Sequence, residues 1–107
     1  MITLPFPPPA LSPNARQHWA AKARAFKTYK TQCYVLLWQH RDVLAGRDTF
    51  SLQFCPPDNH RRDIDNLVAS SKAAIDALSM VCGVDDSKFS LSIAKGEPVK
   101  GGAVVIA

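Results

Sequence analysis

The sequence has no apolar run of the roughly 18 residues that a membrane span requires. Its N-terminus also lacks the basic-then-apolar order of a secretion signal. These absences predict a soluble cytoplasmic protein with no membrane partner. The chain has 107 residues, of which 47% are hydrophobic and 21% charged. That length suffices for a single small globular domain, residues 1–107, and is too short for two.

Metal-binding cysteine and histidine patterns are missing as well. The three cysteines, Cys33, Cys55 and Cys82, are odd in number, and no C-x-x-C pair occurs. This disfavours both a disulfide framework and a zinc knuckle. Each cysteine lies in an apolar context, which predicts a small buried side chain. The three histidines show no zinc-site spacing either.

Acidic residues are scarce in the first half of the chain. Residues 1–47 contain seven basic residues and one acid, Asp42, whereas residues 48–107 contain six basic and eight acidic residues. This asymmetry favours a first half that binds a polyanion and a second half that binds a cation. The alternative is a basic helix face that is merely solvated. The candidate DNA-binding residues of the first half are Arg16, Lys22, Arg24, Lys27 and Lys30.

The hydrophobic periodicity predicts an α+β fold with the order β-α-β-α-β-β, in which two helices pack on one small mixed sheet. The last two strands are expected to form a hairpin. Phe26 and Tyr29 would either pack in the core or stack on splayed bases. The predicted elements are a strand over 1–6, a proline-rich loop, a helix from about Ala15 to a C′ glycine at Gly46, a strand over 49–55, a helix from Asp63 to about Met80–Gly83, and strands over 88–94 and 103–107.

Acidic residues gather where the second helix begins and where it ends. Asp63 and Asp65 lie in its first turn, where an N-cap and the helix dipole are a sufficient structural explanation. Lys72 and Asp76 continue the polar face of the same helix, and Asp85 and Asp86 follow in the next link. If the chain returns beside the helix, several carboxylates meet and require a cation between them. An all-oxygen ligand set favours Mg²⁺ or Mn²⁺ over zinc.

These motifs resemble the signature of the RusA family of Holliday junction resolvases, RRD-x-DNL, then K-x-x-x-DAL, then DDS. The matching segments are Arg61–Leu67, Lys72–Leu78 and Asp85–Ser87, and the opening Leu4–Pro9 and Asn14 also look like the start of that family. One position departs from the pattern. The family lysine follows the DNL aspartate by one helical turn, but Ala69 stands there in this chain and Lys72 lies nearly two turns on.

The resemblance implies a metal-dependent endodeoxyribonuclease that resolves four-way DNA junctions. It implies that Asp63, Asp65 and Asp86, with Asp85 adjacent, bind Mg²⁺ or Mn²⁺, and that Lys72 assists catalysis. Arg61 and Arg62 are placed to hold the scissile phosphate.

Two strands of a junction must be cut symmetrically, so a homodimer is expected, with the surroundings of Phe50, Phe54 and the last strand as its candidate interface. The rival hypotheses are a non-catalytic nucleic-acid-binding module, in which the acids only cap helices and turns, and a small metal-stabilised structural protein.

Overall fold

The computed structural model describes residues 1–16 and 18–107, and these residues form an α+β fold. The predicted class and the mixed sheet are confirmed, with four helices in place of two because each predicted helix is interrupted. The strands are β1 (Ile2–Leu4), β2 (Thr49–Cys55), β3 (Ser90–Lys95) and β4 (Ala103–Ile106), and the helices are α1 (Trp19–Trp38), α2 (Arg41–Leu44), α3 (Ile64–Ser70) and α4 (Lys72–Cys82). Two 3-10 turns cover Pro9–Leu11 and Asp86–Lys88.

The sheet has the strand order β1-β4-β2-β3. Strand β2 pairs with β4 in antiparallel and with β3 in parallel orientation, while β1 pairs with β4. The predicted β3–β4 hairpin is therefore wrong, since β2 lies between those two strands. The α3–α4 crossover returns β3 parallel to β2, as parallel neighbours require.

The core lies between one face of the sheet and the helices. Alternation along β2 buries Phe50, Leu52 and Phe54, as the sequence predicts, and leaves Thr49, Ser51 and Gln53 exposed. Phe50 and Phe54 are buried in this core. Their side chains therefore cannot form the dimer interface that was expected near them. Against them pack the inward residues of α1 and α4, namely Tyr29, Cys33, Leu37, Ala73, Ala77 and Leu78.

The three cysteines are free and buried, as expected from their apolar context. Burial raises the pKa of the Cys33 thiol to about 11, so this sulfur stays protonated at neutral pH.

None of the helices in the described part of the chain is long and apolar enough to cross a membrane.

The predicted continuous helix after Asp63 is broken at Ser71. That residue has φ −95° and ψ 9° and is buried, and its hydroxyl donates to the Val68 carbonyl at 2.8 Å. Ser70 donates to the Asn66 carbonyl at 2.7 Å in the same way. Serine hydroxyls that bond to the preceding turn compete with the helical ladder. Asp65 and Asp76 consequently belong to different helices, and α4 ends at Gly83, whose φ is 71°.

Candidate nucleic-acid cleft and acidic site

A cleft of about 710 Å³ separates the proline-rich N-terminal segment from the start of α3. The N-terminal wall contributes Phe6, the prolines and Arg16, and the opposite wall contributes Arg61, Arg62 and Asp63. The lining thus contains three arginines, from two distant parts of the sequence, and one carboxylate. This arrangement suits an anionic ligand such as a phosphate.

Arg62 is used to hold the loop that precedes α3. Its Nη1 donates to Asp58 Oδ1 at 2.7 Å and to the His60 carbonyl at 3.2 Å, and its side chain is only 23% exposed. The hydrogen bond from Arg62, followed by that from the His60 amide, keeps the pKa of Asp58 below its ordinary value. Arg62 therefore has a structural role in this loop, and its phosphate contact stays a prediction.

Lys95 fixes the same loop from outside. Its Nζ donates to the Arg62 carbonyl at 2.8 Å, a contact that joins the end of β3 to the residue directly before Asp63. The sequence reasoning missed this residue. No local pattern marks it, because the contact spans 33 positions and depends on β3 lying parallel to β2.

Arg61 and Asp63 remain available to the cleft. The Arg61 side chain is 92% exposed, and its Nη2 lies 3.6 Å from Asp63 Oδ1. Asp63 occupies the N-cap position of α3, as predicted, but its side chain makes no capping hydrogen bond. Asp63 thus stands at the N-cap position, but helix capping does not explain why a carboxylate is present there.

Asp65 lies exposed in the first turn of α3. In the described part of the chain, the aspartates that form salt bridges are Asp58, Asp63, Asp76 and Asp86. Asp65 is not among them, so its charge has no basic partner there.

A second acidic group surrounds Lys72 at the start of α4. Its Nζ lies 3.0 Å from Asp76 Oδ1 and 3.8 Å from Asp86 Oδ2. The Asp76 hydrogen bond is the main cause that raises the pKa of Lys72. The chain does return beside the helix, as expected, and the cation next to Asp86 is this lysine.

Asp85 has a structural role in the following turn. Its Oδ1 accepts from the Ser87 amide at 3.0 Å, which caps the 3-10 turn Asp86–Lys88 and lowers the pKa of Asp85. Like the N-caps of α-helices, such a contact satisfies a free backbone donor.

The donor chemistry of these groups fits a hard divalent cation, since every candidate ligand is a carboxylate oxygen. Their positions are more dispersed than expected. Within residues 1–16 and 18–107, no three His, Cys, Asp or Glu side chains lie close enough together to hold a metal ion. The convergence of Asp63, Asp65 and Asp86 on one ion therefore stays a prediction.

The five candidate DNA-binding residues of the first half fall into two places. Arg16 lines the cleft, whereas Lys22, Arg24, Lys27 and Lys30 lie on α1 and do not line it. Arg24 and Lys27 are exposed, and Lys22 and Lys30 are half-buried.

No protein-family model matches the chain. It is 33% identical over 111 residues to a protein of Xylella fastidiosa (strain Temecula1) that is described as "Uncharacterized protein". The match covers 98% of this chain and 72% of the relative, so it is a similarity of nearly the whole domain and not of one motif.

Proposed function

The chain belongs to the same protein family as the Xylella fastidiosa protein, and we propose that it is a Mg²⁺- or Mn²⁺-dependent endodeoxyribonuclease that resolves four-way DNA junctions. The observation that carries this proposal is the cleft, whose lining includes Arg16, Arg61 and an Asp63 carboxylate that makes no capping hydrogen bond. The resemblance of the three acidic motifs to RusA resolvases supports the same reaction.

In this proposal Asp63, Asp65 and Asp86 would hold the metal ion, which supplies an activated water and stabilises the leaving oxygen. Arg61 holds the scissile phosphate, since its guanidinium is exposed at the cleft and lies beside Asp63. Arg62 and Lys95 keep the loop before Asp63 in place. Lys72 places a positive charge next to Asp86, where it offsets negative charge at the reacting phosphate.

The rest of the substrate is held by backbone contacts. Lys22, Arg24, Lys27 and Lys30 contact phosphates that flank the cut, so binding is independent of sequence and weakens steeply with salt. A junction presents two symmetric cutting sites, and we propose a homodimer with one site in each copy. Such an enzyme acts in recombination and repair of DNA in the cytoplasm.

The test is cleavage of a synthetic four-way junction in Mg²⁺ or Mn²⁺. Asp65→Asn should abolish cutting and leave junction binding intact, because Asp65 forms no salt bridge with a described residue. Asp42→Asn is the matched control, an exposed acid on α2, and should cut at the wild-type rate. Absence of cutting by the wild type on any branched substrate, or equal effects of both variants, contradicts the proposal.

A non-catalytic nucleic-acid-binding module is the second candidate. It is favoured by the ion pairs of Lys72 with Asp76 and Asp86 and by the turn cap at Asp85, which give these acids structural uses. Asp86→Asn separates the candidates. Loss of cutting with the melting temperature retained supports the nuclease, whereas joint loss of folding and DNA binding supports the module.

A further inference from the structure

One flank of α1 carries two basic side chains followed by two aromatic ones. Lys27, Lys30, Tyr34 and Trp38 fall within an arc of about 80° when the helix is drawn at 100° per residue. We call these four residues, together with Arg41, the basic-aromatic flank. The inward face of α1, which holds Tyr29, Cys33 and Leu37, lies next to it. The flank therefore lies beside the inward face of α1 and is not fully buried in the core.

The two aromatic rings of this flank are stacked on each other, with Tyr34 half-buried against the core and Trp38 on its solvent side. Tyr34 and Trp38 have ring centroids 5.8 Å apart at an interplanar angle of 22°. Arg41 lies over the indole, with Cζ 4.9 Å from the ring centroid, and its Nη1 donates to the Trp38 carbonyl at 3.0 Å. Trp38 is nevertheless 46% exposed, so a large part of an oriented indole faces solvent.

The sequence pattern suggested Phe26 and Tyr29 as base-stacking residues, but the structure does not leave Tyr29 free for that role. Tyr29 is 1% exposed, and its hydroxyl donates to the Pro5 carbonyl. A second pair of aromatic residues, Tyr34 and Trp38, lies about one and a half to two and a half turns beyond Tyr29 on the same helix. It lies beside lysines that can contact phosphates.

We propose that the basic-aromatic flank binds a single-stranded segment of branched DNA, with an unpaired base stacked on Trp38 and the adjacent phosphates on Lys27, Lys30 and Arg41. This inference rests on the proposed function, because it takes DNA as the ligand and names the part of it that α1 contacts. Base stacking on an aromatic ring combined with a basic track is how single strands are bound without sequence preference.

Charge argues against a second copy as the occupant. A symmetric contact would set each flank against itself and bring three cations of one copy towards three of the other. The one acid of residues 1–47, Asp42, cannot offset them. A polyanion compensates all three. The exposed contact between Arg41 and Trp38 is weaker than base stacking, so an arriving base displaces the guanidinium, which then pairs with a phosphate.

The chain has two tryptophans, so a Trp19→Phe variant makes Trp38 the sole indole reporter. Titration of this variant with a short oligothymidylate should quench Trp38 emission, and a blunt duplex of equal length should quench it far less. In the wild-type background, Trp38→Ala should weaken oligothymidylate binding about tenfold, as expected for one lost base stack, and leave duplex binding unchanged. Met80→Ala, another exposed apolar truncation at 58% exposure, should change neither.

Equal quenching by duplex and single strand, or an unchanged oligothymidylate affinity of Trp38→Ala, overturns the proposal. So does Trp38 emission that changes with protein concentration alone, because that result identifies a second copy as the occupant. None of these measurements needs cleavage. If Trp38 is needed for binding but junctions are not cut, the nuclease proposal is refuted and this inference stands. If junctions are cut but Trp38 is not needed for binding, the nuclease proposal stands and this inference is refuted.

Discussion

Replacing Tyr29 by Phe tests whether α1 fixes the N-terminal wall of the cleft. The Tyr29 hydroxyl donates to the Pro5 carbonyl at 2.6 Å, and the ring is 1% exposed. Pro5 comes directly before Phe6 and the prolines that line the cleft. This single hydrogen bond therefore connects the middle of α1 to the segment that faces Arg61 and Asp63.

The variant keeps the ring and removes only the hydroxyl. It loses one hydrogen bond and leaves a carbonyl without its partner, which costs about 1–3 kcal/mol of unfolding free energy. At a loss of about 1.5 kcal/mol, in the lower half of that range, the unfolding entropy of a domain of this length gives a fall in Tm of about 7 °C. Urea unfolding should show a lower midpoint and an unchanged slope.

Tyr34→Phe is the matched control. Tyr34 lies on the same helix, only half-buried, and its hydroxyl makes no hydrogen bond within the described part of the chain. Its loss should change the unfolding free energy by less than about 0.5 kcal/mol. Equal losses in the two variants, or an unchanged Tm in Tyr29→Phe, would refute the connection between α1 and the cleft wall.

Three further predictions concern the loop before Asp63. Arg61→Ala should lower DNA affinity and reduce the slope of log affinity against log salt by about 0.9, without lowering Tm, because its side chain is exposed. Arg62→Ala should lower Tm because its side chain holds the loop. A reversed result contradicts the assigned roles. Lys95→Met should reduce the kcat of junction cleavage about tenfold with KM unchanged, because it removes the contact that holds the residue before Asp63. Lys100→Met, a change at an exposed lysine, is the control and should have no effect. An unchanged kcat in Lys95→Met would show that Lys95 does not support the site. Because Arg62 lowers the pKa of Asp58, their ion pair contributes stability above about pH 4 and loses it as the pH falls through the lowered value; an NMR titration midpoint for Asp58 at or above 4 would be contrary evidence.

Local patterns were sufficient to locate the four strands approximately and two of the helix ends. Alternation in β2 identified Phe50, Leu52 and Phe54 as buried, and Gly46 and Gly83 were correctly expected to end helices, with φ of 77° and 71°. These features depend on the conformational preferences of neighbouring residues. They require no knowledge of the rest of the fold.

Features that depend on distant contacts were not predictable in this way. The prediction of a hairpin from β3 and β4 is wrong because β2 lies between these two strands in the sheet. The single helix expected from Asp63 to about Met80–Gly83 is broken at Ser71, which is buried and donates its hydroxyl to the Val68 carbonyl. Lys95 was missed because its partner lies 33 residues away.

The acids of the second half can be separated by what they already bind. Asp58 holds the loop through Arg62, Asp76 pairs with Lys72, and Asp85 caps a turn. Asp63 makes no capping bond and pairs at 3.6 Å with the 92% exposed side chain of Arg61, and Asp65 forms no salt bridge with a described residue. Two exposed carboxylates in one helical turn repel each other, and the helix dipole offsets only about 0.3–1 kcal/mol of that cost for each. These two carboxylates therefore place negative charge at the start of α3, and Asp63 brings part of that charge to the lining of the arginine-lined cleft.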